Sequence, residues 1–218
     1  MFKICKKFYS ILLVFPIILC ACCSKNNNYD DNINNIVEIY GCDDENESYG
    51  TGFFISDDTI VTNCHVLYEK IGDDEIFLKP NVRFHDEEEY TEVELIEFDD
   101  IKDYMKLKYT GKHKHSSYKK IGRTVVGEKC FSIGNFNNYG LSYKEGYVSL
   151  KSVNLTYNNS QLSFIQSDLS IGQGDSGAPL LDKNGDLIGM ITLRTKNINT
   201  NNIEQGFSYS IPANIFMD

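Results

Sequence analysis

Two short segments of this 218-residue chain carry residues whose types and spacing suit acyl chemistry. The first is Gly174-Asp175-Ser176-Gly177-Ala178-Pro179-Leu180. A serine flanked by glycines can sit on a tight loop where successive backbone N–H groups converge. Those donors can hold the oxyanion that forms when the hydroxyl attacks a carbonyl. Gly174 and Ser176 supply the candidate amides. The same residue types also make an ordinary hairpin turn. The motif leads into an apolar strand through Pro179 rather than into a helix, which is a poor fit to a strand-to-helix nucleophile elbow.

Serine needs a base, and histidine is the side chain whose pKa lies nearest neutrality. Of the four histidines, only His65 ends an apolar hairpin, formed by Gly50-Thr51-Gly52-Phe53-Phe54-Ile55 and Thr59-Ile60-Val61-Thr62-Asn63-Cys64-His65-Val66. That placement sets the ring on a rigid element. His85, His113 and His115 fall in polar stretches and read as surface residues. A third member, an acid, is needed to hold the imidazole tautomer and stabilise its charged form. Acids are many between Asp73 and Asp103, and composition does not choose among them.

The elements that must position these groups read as strands. From Ile36 onward, short alternating or apolar runs are broken by Gly, Asn and Asp, and no long helical period competes. The pattern predicts about a dozen short strands, among them residues 59–62, 76–84, 90–98 and 105–109, which suits an all-β barrel or sandwich. In the last of these, Met105 and Leu107 face inward and Lys106 and Lys108 outward.

Residues 1–22 have the order of a secretory signal: Lys3, Lys6 and Lys7, an apolar run from Ile11 to Leu19, then small residues and cysteines. That run is shorter than the roughly 18 residues a spanning helix needs. Leu19-Cys20-Ala21-Cys22 resembles a bacterial lipobox, which would make Cys22 the acylated N-terminus; a plain signal peptide cut nearby is the alternative. Residues 23–35, rich in Asn, read as a tether, and residues 36–218 as the folded domain. The domain keeps Cys42, Cys64 and Cys130, an odd number that leaves room for one disulfide at most. A net charge of −10 argues against a nucleic-acid partner.

Taken together, the segments around His65 and Ser176 resemble the trypsin-like serine proteases, closest to the bacterial HtrA (Deg) branch. The resemblance extends through Ile133-Gly134-Asn135, Glu145-Gly146-Tyr147-Val148-Ser149, Ile165-Gln166-Ser167-Asp168, Leu187-Ile188-Gly189 and Tyr209-Ser210-Ile211-Pro212. It implies two six-stranded antiparallel β-barrels with the active site in the cleft between them. It also selects Asp103 as the acid, on the run Phe98-Asp99-Asp100-Ile101-Lys102-Asp103-Tyr104-Met105, with Asp99 or Asp100 as fallback. The expected function is peptide-bond hydrolysis by a Ser176–His65–Asp103 triad with no metal or organic cofactor. The expected substrates are polypeptides of the bacterial envelope or exterior, with the enzyme secreted or held to the membrane through its lipid. A protease-fold surface lipoprotein that binds without turnover is the alternative.

The resemblance places the substrate pocket near Ser170, along Ile191 and Leu193, and at Phe207, with Phe207 and Leu193 equally readable as core. Asp175 departs from the HtrA branch, which has Asn there. It matches the digestive-type enzymes, where this aspartate pairs with an amine freed by zymogen cleavage. No Ile-Val-Gly-Gly start is present to supply one, so Asp175 needs another partner. No PDZ domain is expected after Pro212.

Overall fold

The computed structural model describes residues 28–157, 160–196 and 203–217. The expected signal segment and Cys22 lie outside the described residues. Strands account for most of the rest. The first half comprises β1 (Ile36–Cys42), β2 (Glu47–Phe54), β3 (Thr59–Thr62), β4 (Tyr68–Ile71), β5 (Asp74–Phe77), β6 (Lys79–Arg83), β7 (Thr91–Glu92), β8 (Glu94–Asp99) and β9 (Tyr104–Lys108). The second comprises β10 (Lys129–Gly134), β11 (Ser142–Tyr157), β12 (Ser160–Ser167), β13 (Pro179–Asp182), β14 (Leu187–Lys196) and β15 (Ile203–Pro212).

The second half closes into a six-stranded barrel in the order β10-β11-β12-β15-β14-β13. The first half is a seven-stranded sheet in the order β7-β6-β1-β2-β3-β9-β8, with β4 and β5 forming a separate ribbon. All of these strand pairs are antiparallel. The architecture is the two-bodied, chymotrypsin-like all-β fold. Its first body has one strand more than six because the short β7 extends the edge beyond β6.

Alternation along the strands explains how two bodies share one chain. On β2, Phe54 enters the first core with Val37, Ile39, Ile60 and Leu107, while its neighbour Phe53 faces the other way. On β3 the same split sends Ile60 inward and Val61 outward. Phe53 and Val61 meet Phe131, Ile133, Leu181, Met190 and Phe216 in a buried cluster that joins the halves. The period-2 geometry of a strand thus gives each face its own core. On β9, Met105 and Leu107 are buried, while Lys106 pairs with Glu97 at 2.8 Å and Lys108 with Asp58 at 3.0 Å.

The expected tether is corrected from Asn28 onward. Residues Asn28–Asn32 form a short helix, α1, followed by a 3₁₀ turn over Ile33–Asn35. Ile33 is buried in the joining cluster. Asn32 Oδ1 accepts from the Tyr118 hydroxyl at 3.0 Å, and Asn35 Oδ1 accepts from the Ser116 amide at 3.1 Å. Polar composition suggested solvation, but these asparagine oxygens meet protein donors. His113 and His115 also differ from the surface reading: their rings stack 3.7 Å from Phe84 and Phe54 respectively. Cys42, Cys64 and Cys130 are all free thiols.

Candidate active site

His65 lies on a 3₁₀ turn, Cys64–Val66, immediately after β3. Asp103 precedes β9 in a left-handed conformation, φ 58°, and is 1% exposed. Such a backbone is costly for a residue other than glycine and persists where the surroundings fix it. Ser176 lies on the loop between β12 and β13, so the site sits where the two bodies meet.

The structure brings these three residues into one hydrogen-bonded chain. His65 Nε2 is 3.0 Å from Ser176 Oγ. On the other side of the ring, Nδ1 is 3.0 and 2.9 Å from the two Asp103 carboxylate oxygens, and the His65 amide donates to Oδ1 at 3.0 Å. An acceptor at Nδ1 places the proton there and leaves Nε2 to accept from the serine. Burial acts to lower the His65 pKa, but the charge and hydrogen bond of Asp103 outweigh it and hold the ring above the ordinary value. Of the fallback acids, Asp99 pairs with Lys102 at 3.2 Å, and Asp100 lines a hollow beside His65.

Several residues at this site were not singled out from the sequence. Thr192 Oγ donates to Asp103 Oδ2 at 2.5 Å, and Asn63 Nδ2 donates to the Asp103 carbonyl at 3.0 Å. Burial first, then the charge and hydrogen bond of Asp103, push the Tyr157 pKa up, so its hydroxyl stays protonated beside that carboxylate. Burial and the charge of Asp103 also push the Cys64 thiol up to about 12, which makes it inert although it adjoins His65. Thr51 on β2 ties the nucleophile loop to the first body. Its amide donates to the Ser176 carbonyl at 2.9 Å and its hydroxyl to the Gly174 carbonyl at 2.7 Å. The Gly-Thr-Gly and Asn-Cys-His motifs carry Thr51, Asn63 and Cys64, whereas Thr192 and Tyr157 are brought in by pairings distant in sequence.

The loop itself requires two glycines. Gly174 and Gly177 have φ of 86° and 85°, and a Cβ would overlap the Asn135 carbonyl at the first and the Thr51 carbonyl at the second. The Gly177 amide donates to the Ile191 carbonyl at 2.9 Å and the Ala178 amide to the Asp175 carbonyl at 3.0 Å. Among the described residues the amides of Gly174 and Ser176 have no such acceptor.

The expected pocket residues differ in burial. Ser170 and Phe207 are exposed, which excludes Phe207 from the core. Ile191 is buried and lines neither of the two hollows beside His65. Its side chain packs in the second barrel with Cys130, Val148 and Ile165, and its carbonyl accepts from the Gly177 amide beside Ser176. The Leu193 side chain lies outside the described residues. Two hollows flank His65. One, of about 440 Å³, is lined by Tyr68, Asp100, Ile101 and Tyr157, and the other, of about 230 Å³, by Ser48, Ile76 and Leu78; both share Tyr68 and Glu69.

The fold and the arrangement at its seam are those of the trypsin-like peptidases: the family model described as "Trypsin-like peptidase domain" matches residues 50–190, and the chain belongs to that family. Within it, the chain is 34% identical over 178 residues to a Pseudomonas savastanoi protein named "Probable periplasmic serine endoprotease DegP-like", covering 80% of this chain and 34% of that protein. It is 30% identical to the "Serine endoprotease DegS" of Haemophilus influenzae, covering 78% of this chain and 48% of the other. The chain therefore spans between a third and a half of the length of these relatives. Among solved structures, the serine endoprotease of Yersinia pestis matches 86% of this chain and 62% of its own, with 26% identity and a TM-score of 0.67. The active form of an M. tuberculosis protease matches 97% and 90%, with 17% identity and a TM-score of 0.73, a likeness of fold.

Proposed function

We propose that the protein is a serine endopeptidase that cleaves polypeptides of the bacterial envelope or exterior through an acyl-enzyme. The observation that carries this reading is the 3.0 Å contact between His65 Nε2 and Ser176 Oγ, backed at Nδ1 by Asp103. His65 takes the hydroxyl proton as Ser176 Oγ attacks the scissile carbonyl, and the amides of Gly174 and Ser176 hold the resulting oxyanion. The tetrahedral intermediate collapses as His65 returns the proton to the leaving amine. Water then attacks the acyl-enzyme with His65 again as base, releasing the new carboxylate and restoring the serine. Asp103 accepts from Nδ1 throughout and stabilises the imidazolium. No step calls on a metal or organic cofactor. The names of the DegP-like and DegS relatives support the polypeptide substrate, and the periplasmic naming supports the envelope. Acylation at Cys22 would hold the enzyme to a membrane.

Fluorophosphonate labelling tests the reading. The wild-type protein is expected to label at Ser176 and cleave an unfolded polypeptide, and Ser176→Ala to do neither. A wild-type protein that stays unlabelled while folded would overturn it.

A further inference from the structure

Asp175, immediately before the nucleophile, has a side chain only 3% exposed. A carboxylate this far from water is strongly disfavoured unless it is paired and hydrogen-bonded. One of its oxygens, Oδ2, accepts from the Gly172 amide at 2.6 Å, closing the loop across the base of Gly174. The other, Oδ1, is paired with the ammonium of Lys144 from β11.

The surroundings are shaped for that pair. Gly134 on β10 leaves the space, since a Cβ there would lie 2.6 Å from Asp175 Oδ1. The Lys144 ammonium sits 4.5 Å over the Phe136 ring, and its side chain is 16% exposed. Phe136 belongs to the turn after β10, where the Asn137 amide donates to the Gln173 carbonyl at 2.7 Å. The β10–β11 hairpin therefore grips the segment from Gly172 to Asp175 through one ion pair and one backbone bond, and the cation–π contact with Phe136 fixes Lys144 within the hairpin.

We propose that Lys144 is a positioning residue for Ser176: by neutralising Asp175 inside the fold, it holds the loop that presents the Gly174 and Ser176 amides to the substrate carbonyl. An internal lysine occupies Asp175 Oδ1, so the loop is set without an amine released by chain cleavage. The proposal rests on the serine-peptidase reading above. Lys144 touches no reacting atom. Without it, the buried Asp175 side chain loses its partner at Oδ1, and its relaxation pulls on both flanking amides.

The test compares wild type with Lys144→Met, Lys144→Arg, Asp175→Asn and the double variant Lys144→Met/Asp175→Asn. Each is read by Ser176 labelling rate, by kcat and KM on a peptide, and by thermal midpoint. Misaiming one oxyanion donor costs about 10²–10³-fold in kcat. Lys144→Met is expected to lose on that scale with KM changed much less, and Lys144→Arg to keep most of the rate. The double variant should recover to within about tenfold of wild type, because a neutral carboxamide in place of the Asp175 carboxylate needs no cation yet still accepts from Gly172. Where Lys144→Met does not fold, the double variant and Lys144→Arg decide. Wild-type kcat in a folded Lys144→Met, or a double variant as slow as the single one, overturns the proposal. An unlabelled wild type instead removes the serine-peptidase reading, so the two failures are distinct.

Discussion

Burial acts to lower the His65 pKa, and the charge and hydrogen bond of Asp103 overcome it, so the folded protein favours the charged ring. The sign for stability follows. The contribution of this pair is fully present below the unfolded histidine value and is lost as pH rises through the raised folded value. Catalysis runs the opposite way, because only the neutral ring can accept the Ser176 proton. A pH–rate profile of kcat/KM is therefore expected to rise through an acid limb whose midpoint lies above the ordinary 6.5. Asp103→Asn removes the charge that raises the ring and the acceptor that fixes its tautomer. The limb should move to lower pH while turnover drops by about 10⁴-fold. A limb unmoved by that substitution would shift the acid's role away from Asp103. At this scale the hydrogen-bonded contact of the candidates Ser176 and His65 could be expected from local flanking motifs. Thr192 was not, because its 2.5 Å bond to Asp103 joins residues 89 positions apart.

Among the strands, legibility followed the same line between local and distant pairing. Residues 59–62 are a strand as expected, set by an apolar run between turn residues. The predicted strand over 76–84 instead divides into β5 and β6 at Leu78, where the chain leaves β4 and joins β1; the Leu78 amide donates to the Leu67 carbonyl at 2.8 Å. The predicted strand over 90–98 breaks in the same way at Val93, whose amide donates to the Pro80 carbonyl at 3.1 Å. A change of partner leaves no trace in hydrophobic alternation. Glycine shows the same dependence on context. Gly72, in the β4–β5 turn, and Gly177, beside the nucleophile, both have positive φ, 66° and 85°, but a Cβ at Gly72 meets nothing within 4 Å while one at Gly177 overlaps the Thr51 carbonyl. Gly72→Ala should cost only the backbone strain, about 1–2 kcal/mol, with activity retained. Gly177→Ala adds the clash between the two bodies, so chemical denaturation should show at least about 1–3 kcal/mol more loss, and turnover should fall with it. Equal losses at the two positions would mean that β2 does not clamp the loop.

Over the whole molecule, the proposed triad is divided between two bodies: His65 and Asp103 belong to the first and Ser176 to the second. Their 3.0 Å contact depends on whatever keeps the bodies in register. The joining cluster around Phe53, Phe131, Met190 and Phe216 contributes to this, and Ile33 is part of it. The segment taken from its composition as a tether thus helps to hold the active site together. A chain starting at Asn28 and one starting at Ile36 should differ for that reason. Loss of Ile33 opens a cavity, at about 2–5 kcal/mol by analogy with large-to-small core changes. Loss of Asn32 strips the acceptor from the Tyr118 hydroxyl, in a side chain 6% exposed, at about 1–3 kcal/mol more. At about 2–4 °C per kcal/mol for a domain of this size, the shorter chain should melt at least roughly 6 °C lower. Its residual turnover below the melting point should also fall, because the two bodies are less firmly held. Matching thermal midpoints for the two chains would return residues 28–35 to the role of a tether.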